Sequence, residues 1–368
     1  MLAMAVQVPS ASAAPDDGLA ALKNGDYAAA LKVFQPLAAK GDADAEFLLG
    51  MMYERGFGVK PDRVEGVRQI RLAADQGHAR AQAILGLRYS NGEGVTQNAA
   101  ESVRWYLMAA KQGILEAQAA VALAYQSGLG VNKDSTEALK WNRLGAAAGN
   151  TTAQYNLANQ LQHGYGTAPD LSEAYKWYRM AADKNMAAAQ TVVGMMTATG
   201  KGTRQNLAEA VKWYGLAAQQ GYAQAQSALG EAYHQGNGVK QDYAEARMWY
   251  QKGADQGDKM AQSNLGVMYQ QGLGLAPDFL RASQLYRMAA VQGDDDAQIN
   301  LGLLYAMGKG VARNDVQMLM WFKIAAAQGN ALAAKYIETV IPKMTPQQVD
   351  KAEKAAQDCL QKSLSACS

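Results

Sequence analysis

The chain of 368 residues holds only two cysteines, Cys359 and Cys367, and three histidines, His78, His163 and His234. No metal-type Cys/His cluster, Ser-His-Asp arrangement or phosphate-binding loop can be assembled from their spacing. No apolar run reaches the ~18 residues that a membrane-spanning helix needs. Net charge is +2, with Lys and Arg scattered along the chain, and this excludes the concentrated basic face that nucleic acid demands. A single globular core of this length would be unusually large. Catalysis, cofactors and metals therefore have no footing in the sequence, and neither does a conventional single core.

What the sequence does have is a period. Ala45, Ala81, Ala117, Ala153, Ala189, Ala225, Ala261, Ala297 and Ala333 are each 36 residues from the next. A Gly-x-Gly pair follows each of the first eight, from Gly56/Gly58 to Gly308/Gly310. A second Ala slot runs in step from Ala38 to Ala326, and no repeat inserts or deletes a residue. Self-similarity at such a spacing marks a repeat architecture.

Each repeat reads as two helices. In the repeat that opens at Ala225, Ala225, Leu229, Gly230 and Tyr233 fall on one face at helical spacing. The first Gly of the pair stops that helix and the second lets the chain reverse. The second helix starts at a slot that holds only Asp or Asn: Asp26, Asp62, Asn98, Asp134, Asp170, Asn206, Asp242, Asp278 and Asn314. A short side-chain oxygen there accepts from an orphan backbone N–H, worth about 1 kcal/mol. Glu or Gln three residues on, at Glu65, Glu101, Glu137, Glu173, Glu209, Glu245 and Gln317, gives a capping-box-like pattern. Trp–Tyr pairs such as Trp213/Tyr214 and Trp249/Tyr250 resemble a binding stripe, but their spacing, on the face that carries Ala, assigns them to the core.

The Ala…LeuGly…Tyr…Gly-x-GlyVal run and the downstream Asp…Ala…TrpTyr…AlaAla…Gly run resemble the Sel-1-like repeat family, the 36-residue relative of the tetratricopeptide repeat. The resemblance covers about Asp26 to Tyr336. It implies an all-α fold, a right-handed α-solenoid of tandem helix-turn-helix repeats with capping helices at both ends. It also implies a concave face that binds another protein or peptide, with no cofactor. Solenoids escape the size limit on a single core, because each repeat packs only on its neighbours.

The organisation follows. Residues 1–14, MLAMAVQVPSASAA, end in Ala11-Ser12-Ala13 after a short apolar run, like the tail of a secretory signal without its positive start. The alternative is a plain N-terminal extension. Residues 15–44 form a degenerate opening repeat with a short helix around Leu19–Lys23 and with Pro36 placed to bend the helix after it. Eight repeats fill 45–332. Residues 333–368 hold a half repeat and a lid, whose helix restarts at Thr345-Pro346-Gln347-Gln348. On one straight helix Cys359 and Cys367 would sit about 12 Å apart, too far to bridge. A disulfide requires the chain to turn back around Ser363–Ala366, and the alternative is two free thiols.

If first helices line the concave wall, the slot after the mid-helix Gly points into it: Met51, Leu87, Leu123, Asn159, Met195, Glu231, Val267 and Leu303. Most of these are apolar, which fits protein contact. The competing use of the slot is packing on the next repeat. Polar residues one turn on, Glu54, Ser90, Gln126, Gln162, His234 and Gln270, flank this strip, and His163 stands beside it. Leu161 and Thr197 replace the usual Tyr, and this irregularity either places the recognition centre around Asn159–Met196 or is drift in redundant middle repeats. Glu231 and His234, three apart, make half a metal site or simply two solvated polar residues.

The function this supports is a non-catalytic binding or scaffold protein, periplasmic or secreted if residues 1–14 are a signal remnant and cytoplasmic otherwise. Its sharper form is an immunity protein that neutralises a secreted toxin, a role known among relatives. Two alternatives stand beside it. One is a binder of, or enzyme acting on, a cell-wall fragment or β-lactam-like ligand, although no nucleophile is in view. The other is a secreted effector engaging host proteins.

Overall fold

The computed structural model describes residues 16–364 and Cys367. The signal-like reading of residues 1–14 falls outside them. Twenty α-helices and one 3-10 turn make up the described residues, and none of those residues is in a strand. The N-terminal elements are α1 (Asp16–Lys23), α2 (Tyr27–Ala38), α3 (Ala43–Arg55), α4 (Arg63–Asp75), α5 (Ala79–Asn91), α6 (Ala99–Lys111), α7 (Leu115–Ser127), α8 (Ser135–Ala147) and α9 (Thr151–His163). There follow α10 (Leu171–Asp183), α11 (Ala187–Thr199), α12 (Leu207–Gln219), α13 (Ala223–Gln235), α14 (Tyr243–Asp255), α15 (Lys259–Gln271) and α16 (Phe279–Ala290). The chain closes with α17 (Asp295–Met307), α18 (Asp315–Ala327), α19 (Ala331–Val340), the 3-10 turn Ile341–Lys343 and α20 (Pro346–Lys362). The chain divides into two compact units, one ending at Trp177 and the other starting at Tyr178. Within each, every first helix packs on the second helix that follows it, and that second helix packs on the next first helix.

Local chemistry explains the helix ends. Each first helix stops at a left-handed glycine, as at Gly92 with φ 72°. The second helices start where the Asp/Asn slot accepts from the backbone, as in Glu65 N to Asp62 Oδ1 at 3.0 Å. The second Gly of each pair does more than reverse the chain. A Cβ on Gly94 would stand 2.6 Å from the Arg63 carbonyl oxygen, so this turn lies directly against the preceding second helix. Asn185 takes the usual glycine place after α10 with φ 66°, since Asn tolerates that conformation. Pro36 falls in the last turn of α2, two residues before its end.

The capping-box expectation needs correction. Thr345 with Gln348 forms a true capping box at α20. In the repeats the acidic residue serves other donors. The Trp177, Trp213 and Trp249 indole N–H groups donate to Glu173, Glu209 and Glu245 at 3.2, 3.4 and 3.1 Å. Arg143 reaches Glu173 at 2.8 Å and Arg179 reaches Glu209 at 3.2 Å. A half-buried indole N–H needs an acceptor, whereas the N-cap backbone N–H already donates to a first-helix carbonyl, as in Asp242 N to the Tyr233 oxygen at 2.9 Å.

The core is built from glycine and ring. A Cβ on Gly230 would stand 2.7 Å from Tyr250 Cδ1, and one on Gly266 2.8 Å from Tyr286 Cε1. Each ring thus lies flat on the backbone of its first helix. Tyr250 and Tyr286 are fully buried, which contributes about 2–3 kcal/mol apiece against roughly 1 kcal/mol lost by glycine inside a helix. Trp105, Tyr178, Trp213 and Tyr214 are buried as well, in agreement with the core reading of the Trp–Tyr pairs.

A glutamine ladder links neighbouring repeats. Gln226 Nε2 donates to the Ala218 carbonyl at 3.2 Å, and Gln226 Oε1 accepts from Gln256 Nε2 at 2.8 Å. Gln82, Gln262 and Gln298 repeat both bonds with Gln112, Gln292 and Gln328. The Gln82, Gln226, Gln262 and Gln298 amides are buried and their partners exposed, so the bonds stabilise chiefly by avoiding desolvated, unpaired atoms.

Candidate functional site

The ring that covers the mid-helix glycine fixes where the next residue points. One step round the helix, that residue turns off the packed face. Leu123 is 62% exposed and Met195 48% exposed. Met51, Leu87, Asn159, Glu231, Val267 and Leu303 are half-buried. Met51 packs against the cluster around Leu85, while Val267 and Leu303 pack against the C-terminal core. The slot thus mixes the two uses foreseen for it: open in some repeats, partly spent on packing in others.

The flanking positions divide the same way. Glu54 is not available to a partner: Arg88 Nε and Nη2 donate to its two oxygens at 2.6 and 2.7 Å. Gln270 accepts from the Tyr286 hydroxyl at 2.7 Å. Gln162 is half-buried and its Oε1 has no partner. His163 is exposed, with Nδ1 2.9 Å from the Asn159 carbonyl oxygen and its ring stacked on Tyr165 at 5.4 Å. Leu161 and Thr197, read as signs of a recognition centre, are both buried. The tyrosines in the same slot of other repeats, such as Tyr89 and Tyr233, are half-buried, so their replacement removes partly exposed side chains.

Glu231 and His234 are brought together with other groups. The Tyr250 hydroxyl donates to Glu231 Oε2 at 2.5 Å, Asn264 Nδ2 donates at 3.4 Å, and Gln235 donates as well. Burial first, and the hydrogen bond to Glu231 second, push the Tyr250 phenol far above its usual range. The His234 ring meets Tyr243 and Tyr250 edge-on at 5.7 and 6.2 Å, and its Nδ1 has no partner. Three donors hold Glu231, so it is a structural acceptor rather than half of a metal site. Among the described residues no three His, Cys, Asp or Glu side chains are placed to hold a metal ion.

Sequence reasoning missed a second apolar column, on the second helices. Leu72, Leu144, Met180, Leu216 and Met288 recur at multiples of 36 residues and are exposed. Ile324, in the same slot, is 0% exposed, because α20 packs on α18. The recurrence was visible in the sequence. At the lid, Cys359 and Cys367 are paired, with Cα atoms 5.5 Å apart. The helix ends at Lys362, and Cys367 N donates to the Leu364 carbonyl at 3.1 Å as the chain turns back. No helix among the described residues is long and apolar enough to cross a membrane.

Comparison with known proteins places this geometry. The Sel1 repeat family model matches residues 43–78, 79–114, 115–150, 151–186, 187–222, 223–258, 259–294 and 295–330. No curated protein matches the chain. Among solved structures, the chain is similar to c5321, a protective antigen present in uropathogenic Escherichia coli strains displaying an SLR fold. The identity is 30%, the match covers 96% of this chain and 85% of that one, and the TM-score is 0.70. It is also similar to a Sel1 repeat protein from Oxalobacter formigenes, with 31% identity, 92% and 98% coverage and a TM-score of 0.67.

Proposed function

Because the chain belongs to the Sel1 repeat family, we propose that it is a non-catalytic scaffold that grips another protein or peptide along its first-helix faces. The observation that carries this reading is the open apolar slot: Leu123 and Met195 project into solvent, Met195 from a helix whose Gly194 receives the Tyr214 ring. Apolar side chains held on a stiff backbone contribute contact area at little ordering cost, and methionine adapts to irregular partners. Nothing in the hydrogen-bonding around Glu231 or His234 provides an activated nucleophile, so grip rather than reaction is the supported role. A periplasmic or secreted setting, and an immunity role against a secreted toxin, form the finer version of this proposal. A second reading, docking on the second-helix column, is favoured by one fact: the chain's own α20 covers that column at Ile324.

Capture from a periplasmic extract tests the proposal. Leu123→Glu combined with Met195→Glu is expected to abolish partner capture and leave the helical spectrum unchanged, because both sites are exposed. Undiminished capture by the double variant contradicts the first-helix reading. Loss of capture on Leu144→Glu with Leu216→Glu instead moves the interface to the second helices. A co-captured toxin is the outcome that the immunity role requires.

A further inference from the structure

A cavity of about 170 Å³ opens beside the first complete repeat, lined by Met51, Glu54, Arg55, Arg63, Arg88 and Glu93. Its charges are not repeat architecture. The slot of Arg55 reads Asn91 and Ser127 in the next two repeats, that of Arg63 reads Ala99 and Ser135, and that of Arg88 reads Met52 before it and Ala124 after it. The slots of Arg55 and Arg63 vary from repeat to repeat, whereas Arg88 puts a charge in a slot that is otherwise buried, as at Met52, Ala124, Met268 and Leu304, and such a local departure points to a site.

The charges are unevenly committed. Arg88 holds Glu54 through two hydrogen bonds, at 2.6 and 2.7 Å, and Glu93 through a third at 2.8 Å. The Glu54 and Arg88 side chains are 7% and 14% exposed, so this group is a fixed frame. Both carboxylates are spent on one guanidinium. Arg55 and Arg63 line the same cavity, and among the described residues neither has an acidic partner within ion-pair distance. Arg55 leans over the Phe57 ring at 5.8 Å. Asp62, next to Arg63, is engaged as the cap of α4, accepting from Glu65 N at 3.0 Å. Three cations and two anions leave one positive charge.

We propose that this cavity binds a carboxylate carried by a peptide partner, received by Arg55 and Arg63 with Met51 against the adjoining apolar part. The guanidinium fork matches a planar carboxylate. One monoanion neutralises the site, whereas a phosphate dianion would face Glu54 and Glu93 across a short distance. The space is that of about five or six waters, enough for one carboxylate and a small side chain but not for a folded element. The carboxylate can come from a chain terminus or from an Asp or Glu side chain. This inference rests on the protein-binding reading above and names the chemistry of one end of the partner.

The test uses the full chain and three peptides: acetyl-Ala-Leu-Ala with a free C-terminus, its C-terminal amide, and acetyl-Ala-Asp-Ala amide. Binding is followed by the shift of arginine side-chain N–H resonances. At least one acid-bearing peptide is expected to bind about tenfold more tightly than the Leu amide. The free-terminus peptide leading identifies a chain end, and the Asp peptide leading identifies a side chain. In the variant carrying R55Q and R63Q the acid preference is expected to vanish with an unchanged thermal melt. Equal affinity for acid and Leu amide, or an acid preference that survives in that variant, overturns the proposal. Inorganic phosphate binding more tightly than acetate overturns the monoanion assignment. None of these results bears on Leu123 and Met195, so loss of this site leaves the wider binding reading to its own test.

Discussion

Two repeats of one length, residues 115–150 and 223–258, solve the same packing problem differently. Both first helices start at residues without a side-chain cap, Ile114 and Tyr222, and both end at a left-handed glycine, Gly128 and Gly236. In the later repeat Gly230 receives the Tyr250 ring. In the earlier one Ala122 occupies the glycine slot and Asn142 the ring slot. In this repeat the methyl is added and the ring is lost together, whereas residues 151–186 keep Tyr178 in the ring slot with Ala158 in the glycine slot, both buried. Asn142 donates to Gln160 Oε1 at 2.7 Å, and its own Oδ1 is left without a partner. The ladder differs too. Gln256 satisfies Gln226 Oε1, whereas Ala148 holds the corresponding slot beside Gln118, whose Oε1 is buried and unpartnered. In the ladder the period encodes pairs of positions: when Ala148 replaces the donor glutamine, Gln118 is left with an unmet need.

The sharpest way to break this comparison is Gly230→Ala. A methyl placed 2.7 Å from Tyr250 Cδ1 forces the ring or the helix to shift, at an expected cost of about 1–3 kcal/mol in urea denaturation. Ala122→Gly, facing Asn142, should cost the helix-propensity difference of about 1 kcal/mol and one buried methyl, about 0.8 kcal/mol, with no displaced ring. No loss on Gly230→Ala would refute the ring-on-glycine account. Next in size is a reciprocal pair in the ladder. Gln256→Ala strands Gln226 Oε1 and should destabilise by about 1–2 kcal/mol. Ala148→Gln supplies the donor that Gln118 lacks and should gain about 1 kcal/mol. A destabilising Ala148→Gln would show that the earlier repeat cannot accept the ladder.

The smallest effect concerns how first helices start. Where Ile114 and Tyr222 offer no side-chain cap, His78 caps α5: its Nδ1 accepts from Ala81 N at 3.0 Å while Nε2 faces Asp44 at 3.1 Å. Burial is the main cause that holds the His78 pKa below the ordinary 6.5, with Asp44 opposing it. A base depressed in the folded state contributes stability that is present above pH 6.5 and lost as the pH falls below it. The melting temperature should therefore drop on acidification through that range, and more in the natural chain than in His78→Asn, whose cap does not titrate. Identical pH profiles would contradict the neutral-imidazole cap.

Much of this fold was legible in the sequence. Helix stops, the Asp/Asn starts and the Thr345 capping box follow from local backbone chemistry that few residue types satisfy. The glutamine ladder was equally periodic yet was passed over, because glutamine reads as a surface residue. Gln226 is buried only because its two partners come from elsewhere: the Ala218 carbonyl on α12 and Gln256 just after α14. The N3 acids were misassigned for a different reason: an indole four residues on along the same helix competes for them, as Trp213 does for Glu209, and only the Arg143 and Arg179 guanidinium groups arrive from a neighbouring repeat. At the candidate site, Leu123 and Met195 are exposed as their position implied. Val267, in the equivalent slot, is partly covered by the C-terminal core, and spacing alone does not reveal that. The frame of Glu54, Arg88 and Glu93 joins residues from two repeats and left no periodic trace.

The central claim is that exposed apolar residues on the first helices do the gripping. Hydrogen exchange on the full chain bound to its captured partner tests it most directly. The account predicts slowed exchange in α7 and α11, around Leu123 and Met195, with α8 and α12 unchanged. Protection confined to α8 and α12, around Leu144 and Leu216, would contradict it.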